Sequence, residues 1–386
     1  MRGLMIWAVL AILNLAAGTV IASHDGRASD LESVMRWVKA WLIDGANVYQ
    51  PLDSTTDYPP HAMVLLSPLG LLSPAVAIPL WASVNLCLAV IAPYLAARFY
   101  RPHAPFRVIV LPILMFLCWG GVRTLLQFSL LALTLSMAAL WLSTRRPMAA
   151  GAVLGCALMK PQVALPVFCW ALFTRRWKLA ITSLAVVAIG FAVFCLWADA
   201  DPFLVVRRYA AVLASLYTGD GWFAGLSELR PAIRALVRDA SDVDAIAGSI
   251  AIGLFAGICV AGVQEGRGRT RVLYAAPPLV ACWSLLTFYH LTYGFVILLP
   301  VLMMLALDDA ERSPLRTWLF WILQIGMMID LPGLARLAGL SSTVFGMALS
   351  HVDRVLMVCL FAGLAALAWK EPPLADHPGG SQQAVG

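Results

Sequence analysis

Charge is what this 386-residue chain has least of. Asp, Glu, Lys and Arg together make up 12% of it, against 61% hydrophobic residues. A soluble domain could not sustain that ratio, because its surface would have to be mostly apolar, so the composition specifies a polytopic membrane protein. Recognisable chemical signatures are scarce too. No HExxH, Walker loop, GxGxxG ahead of a helix or Ser/His/Asp arrangement is present, which leaves nucleotide-driven transport and hydrolase chemistry without support. The eight cysteines all lie inside apolar runs, and none has CxxC or Cys/His metal-site spacing. They read as small core residues. The formal charge of +6 comes in short basic clusters between apolar runs, the pattern of cytoplasmic loops, so no nucleic-acid partner is expected.

What the chain does have is apolar length. Runs of spanning or near-spanning size cover 3–22, 74–97, 108–121, 124–143, 148–159, 161–174, 179–197, 244–264, 272–288, 294–307, 317–331 and 351–369. They predict an all-α fold with about twelve transmembrane helices (about ten to thirteen), some short or broken. The first run lacks a small-x-small cleavage site and is expected to stay as a span. Arg2, Arg98/Arg101/Arg107, Arg145/Arg146, Arg175/Arg176/Lys178, Arg267/Arg269/Arg271, Arg312/Arg316 and Lys370 all fall on one side if that side is the cytoplasm, which puts both termini there. One membrane domain over 1–370 is expected, with a first outer loop at 23–73, a second at 198–243, and a disordered cytoplasmic tail at 371–386.

Two segments break the spanning pattern. Charge parity requires Ala62–Leu72 not to cross, so Pro59-Pro60 are expected to start a short interfacial or re-entrant helix that returns at Ser73-Pro74. Segment 148–174 is too long for one span and too short for two. Two short helices meeting at Lys160-Pro161 and lining a cavity are expected, because a lysine and an interrupted backbone are tolerated at membrane depth only there.

The acids avoid the clear spans and gather in the two outer loops, so chemistry is expected at the outer surface. A transporter would instead need charges distributed through its spans. Leu31, Val34, Val38, Trp41 and Leu42 recur at helical spacing and predict an amphipathic interfacial helix. Asp30 stands just before it, at an N-cap position. Glu32 reads as a solvated charge, and Trp37, Trp41, Trp222 and Phe223 as interfacial anchors. Arg207, Arg208 and Tyr209 in the second loop would cover the cavity or shape acceptor choice.

The order Asp30-Leu31, then Asp44-Gly45 with Tyr49 and Pro51, then Tyr58-Pro59-Pro60 opening an apolar helix that ends Pro68-Leu69-Gly70-Leu71-Leu72, resembles the first outer loop of glycosyltransferase family 87. The likeness continues at Leu125-Leu126-Gln127-Phe128-Ser129, where the family has Gly-Gln-x-Asn, and at Leu158-Met159-Lys160-Pro161-Gln162 with Arg175-Arg176-Trp177. It extends to Thr287-Phe288-Tyr289-His290, where Leu291 replaces a second His. The resemblance spans roughly 5–310 and implies a GT-C membrane enzyme that moves a hexose, mannose first of all, from a polyprenyl-phosphate sugar with inversion.

In that setting Asp30 is implied as the catalytic base, with Asp25 its nearest rival. Lys160, His290 and Arg123 are the candidates for the donor phosphate. Each has a plainer reading: a structural pairing for Lys160, a wet helix end for His290, an interfacial arginine for Arg123. Tyr58, His61, Gln127, Tyr289 and Tyr293 are candidate substrate contacts. Tyr58 could equally pack under the loop, His61 cap the short helix, and Gln127 satisfy a neighbouring helix. No cofactor is expected beyond the lipid-phosphate sugar, although the outer acids leave a divalent cation open. The partners implied are that sugar, a lipid or glycan acceptor, and the lipid of a bacterial cytoplasmic membrane, with the site facing outside. A flippase of lipid-linked saccharide and an inactive homologue serving as an assembly partner are the rival readings.

Overall fold

The computed structural model describes residues 2–24, 29–50, 56–119, 127–218, 230, 233, 240–265, 272–287, 292–307, 313–328 and 352–370. In chain order these form α1 (Arg2–His24), α2 (Ser29–Leu42), α3 (Pro60–Leu65), α4 (Ser67–Gly70), α5 (Pro74–Tyr100), α6 (Phe106–Leu117), α7 (Ser129–Leu142), α8 (Pro147–Ala157), α9 (Pro161–Phe173) and α10 (Trp177–Trp197). Then come α11 (Pro202–Thr218), α12 (Ala240–Glu265), α13 (Val272–Thr287), a 3₁₀ helix (Thr292–Leu298), α14 (Leu299–Leu307), α15 (Pro314–Met328) and α16 (Val352–Lys370). Proline supplies the first residue of α3, α5, α8, α9, α11 and α15. Its fixed φ suits that position, and its missing N–H would have had no intrahelical partner there.

Every predicted apolar run contains a helix, and among the described residues there is no strand. Among the described residues three helices are long and apolar enough to cross a membrane by themselves: Pro74–Tyr100, Trp177–Trp197 and Asp242–Val260. The other apolar stretches whose side chains are described run 10–17 residues, so length does not establish the expected total near twelve. The chain is an all-helical membrane protein with interrupted as well as full-length elements.

The segment between the arginine clusters breaks where the sequence predicts. The chain turns at Met159 and Lys160 and restarts at Pro161. The Arg176 guanidinium donates to the Ser143 carbonyl at 3.0 Å, which ties the far end of α9 to the chain entering α8, so the two helices form a hairpin. Its 11-residue first arm rises only about 16 Å, roughly half of an apolar layer of about 30 Å. α8 packs on α10 through Gly151 and Gly155, where an added Cβ would meet the Leu179 carbonyl oxygen or Val186 Cβ at 2.5 Å. Small residues four apart permit that approach.

α10 continues past the hairpin, and the described residues 29–50 and 56–72 pack along it. Successive positions of α10 receive successive parts of this segment. Gly190 faces His61. The Phe194 ring stacks on Trp41 at 5.7 Å, and its carbonyl accepts the Trp41 indole N–H at 3.2 Å. Tyr49 meets the Phe194 ring edge-on at 5.4 Å, and the Trp197 indole donates to the Leu42 carbonyl at 3.1 Å. In α2, Leu31, Val34 and Val38 are fully buried and Trp41 nearly so, each contributing about 1.5–3 kcal/mol relative to exposure. Leu42, predicted on the same face, is half-buried, and Glu32 is exposed.

Three details depart from the sequence reading. α2 begins at Ser29, so Asp30 lies inside the first turn rather than at the N-cap, a place the helix dipole suits equally well for a carboxylate. The single short helix expected over 62–72 is two, α3 and α4, divided at Leu66, where Pro68 sets a new start. Segment 198–243 carries a helix, α11, which Pro202 opens.

Candidate active site

The candidate site lies where segment 29–72 meets the tip of the α8–α9 hairpin. Lys160 is 4% exposed. Its ammonium lies 3.4 Å from the Tyr58 hydroxyl and 5.6 Å from the centre of the Tyr58 ring, and it feels the charges of both Asp57 and Asp30. A buried ammonium is costly without such partners.

Tyr58 is itself held on three sides. Phe128 packs edge-on to its ring at 5.7 Å, Trp37 lies tilted at 6.3 Å, and its backbone carbonyl accepts the Tyr49 hydroxyl at 2.6 Å. Tyr58 therefore packs under the loop, and its hydroxyl lies beside Lys160, the candidate phosphate-binding cation.

Asp30 is half-buried, and its Oδ2 accepts a hydrogen bond from Gln127 Nε2. Gln127 stands just before α7, in the stretch where the sequence keeps the Gln of the family's Gly-Gln-x-Asn pattern. The structure thus brings Asp30, Tyr58, Gln127 and Lys160 together from four separate stretches of chain. It adds Asp57, which the sequence reading placed only among the outer-loop acids. Burial holds the Asp57 carboxyl above its ordinary range, with the Lys160 charge pulling the other way and Asp30 adding to the rise. Its position beside Tyr58 was the available signal, but nothing in the sequence ties either residue to Lys160 a hundred positions later.

His61 makes no side-chain cap on α3, the plainer role expected of it. It is 2% exposed, its Cβ lies against Gly190, and its ring lies against the Gly155 carbonyl. His61 thereby docks α3 onto α8 and α10. Asp25, Arg123, Tyr289 and His290 lie outside the described residues, as do Trp222 and Phe223. Tyr293 falls within the 3₁₀ helix. In α11, Arg207 is exposed, while Tyr209 meets Tyr49 edge-on at 5.9 Å, so the second polar segment touches the first.

Among the described residues no three His, Cys, Asp or Glu side chains gather to hold a metal ion. A separate open cavity of about 500 Å³, lined by Phe191, Cys195, Leu196, Asp199, Asp201 and Pro202, lies where α10 passes into α11 and includes none of the site residues.

Chemically, the cluster offers a carboxylate oriented by an amide, a second carboxylate, and one buried cation at the interruption of a helical hairpin. A carboxylate can accept a proton from a hydroxyl, and an ammonium can hold an anion. Compared with known proteins, residues 56–287 match the model of glycosyltransferase family 87. That stretch contains Asp57, Tyr58, Gln127 and Lys160 and begins after Asp30. No curated protein and no solved structure matches the chain.

Proposed function

The chain belongs to glycosyltransferase family 87, and from that membership we propose that it transfers a hexose, mannose above others, from a polyprenyl-phosphate sugar to a lipid-linked or envelope glycan acceptor. The observation that carries this reading is the convergence at the hairpin tip of Lys160, in contact with Tyr58 and in the field of Asp57 and Asp30, with Asp30 held by Gln127. The acceptor hydroxyl oxygen attacks the anomeric carbon from the face opposite the lipid phosphate. The new glycosidic C–O bond forms as the bond to the phosphate oxygen breaks, and the configuration inverts. Asp30 takes the hydroxyl proton, and Lys160 holds the phosphate that departs with its electron pair, with His290 and Arg123 as further cationic contacts. The basic clusters support a site on the outer face of a bacterial cytoplasmic membrane, with both termini inside.

The test is reconstitution of the purified protein with a panel of polyprenyl-phosphate sugars and acceptors, comparing wild type with Asp30→Asn. Mannose transfer by wild type and a loss of about 10²–10⁴-fold in the variant are expected. Equal turnover in both would remove Asp30 from its role. No turnover with any donor would overturn the transferase reading.

A further inference from the structure

Gln127 makes use of only one end of its side-chain amide. Nε2 donates to Asp30 Oδ2, while Oε1, in a residue only 7% exposed, is buried without a hydrogen-bond partner. The hydrogen bond to Asp30 fixes which end of the planar amide is which, so the unused oxygen lies immediately beside the candidate base. Buried acceptors lacking a donor are uncommon in folded proteins and call for a ligand or water. Two more unpartnered polar atoms accompany it. They are Ser129 Oγ, two residues on, and Nε1 of Trp81, whose ring packs on Phe128 at 4.7 Å. Unused hydrogen-bonding capacity therefore flanks Phe128 at the start of α7.

Resting on the transferase reading, we infer that the acceptor is a polyol presenting two neighbouring hydroxyls, one giving its proton to Asp30 and the other donating to Gln127 Oε1. Gln127 then acts twice. Its N–H positions the Asp30 carboxylate, and its carbonyl selects an acceptor that carries a hydroxyl beside the one attacked. A site built to hydrogen-bond a substrate hydroxyl rejects the analogue lacking it much more strongly than an apolar pocket rejects a change of size.

The test uses octyl mannoside and octyl glucoside with the monodeoxy analogues of each. Binding to the purified full-length protein is measured first, then transfer from polyprenyl-phosphate mannose, for wild type and Gln127→Leu. The analogue lacking the attacked hydroxyl is not turned over. One further analogue should lose at least about tenfold in affinity and in kcat/KM with wild type. In Gln127→Leu the parent acceptor should lose in both kcat and KM, and the penalty for that analogue should shrink to less than about threefold. A flat wild-type series overturns the inference whether or not the variant folds, as does a penalty that persists in Gln127→Leu or the absence of binding by any glycoside. Discriminating binding with no transfer from any donor would instead overturn the transferase reading and leave the Gln127 contact standing.

Discussion

Replacing Gly190 with alanine should displace the candidate site without touching it. An added Cβ there would meet His61 Cβ at 2.6 Å and His61 Cα at 3.2 Å. Neither atom is the free end of a flexible side chain, so α3 itself has to move outward by several tenths of an ångström. Overpacking of this kind costs about 1–3 kcal/mol, offset by at most about 1 kcal/mol from the better helix former. The rigid Pro59-Pro60 link passes the shift to Tyr58 and Asp57, and a misplacement near 1 Å can cost about 10²-fold in rate. The assay is transfer by reconstituted protein, with thermal unfolding in detergent followed in parallel. Gly190→Ala should lose about ten- to a hundredfold in turnover and unfold earlier. Gly253→Ala, at a glycine with open space around it, should do neither. Adding His61→Gly removes the atom met at 2.6 Å, so the pair should cost less than the sum of the two single changes. A Gly190→Ala protein with wild-type turnover and stability would refute the seating of α3 on α10.

Lys160→Met should raise KM for the lipid-phosphate donor by about 10²-fold or more, because a charge-assisted contact to phosphate is lost, and Lys160→Arg should recover part of it. A donor KM unchanged in Lys160→Met would separate this cation from the phosphate. Ser73 is exposed at the start of α5, so a cysteine placed there should react with an impermeant maleimide on intact cells. Labelling only after the cells are opened would reverse the proposed orientation.

Helix positions were legible because few alternatives are open to long apolar runs, and the hairpin break was legible because proline at 161 cannot continue a helix whose preceding residue is pushed out of the α region. The buried face of α2 followed from the spacing of Leu31, Val34, Val38 and Trp41. The departures came where sequence offers two physically similar options. Asp30 could cap α2 or sit in its first turn, and only the position of Gln127 decides what its carboxylate faces. α11 was hidden because Arg207-Arg208 interrupt its apolar residues and Asp199 and Asp201 stand just before it, a pattern shared by polar loops. Asp57 was legible as a charge but not as a neighbour of Lys160. That proximity depends on a re-entrant segment landing on a hairpin tip, a tertiary event that neither local stretch encodes by itself.

The half-height hairpin tied together by Arg176 and Ser143 also bears on how the centre comes into being. Its tip carries an ammonium but no acid, and segment 29–72 brings the acids but no buried cation. Neither half is a weaker version of the whole. Catalytic competence should therefore appear in one step, when the early segment docks along α10, and vanish in one step when it lifts away.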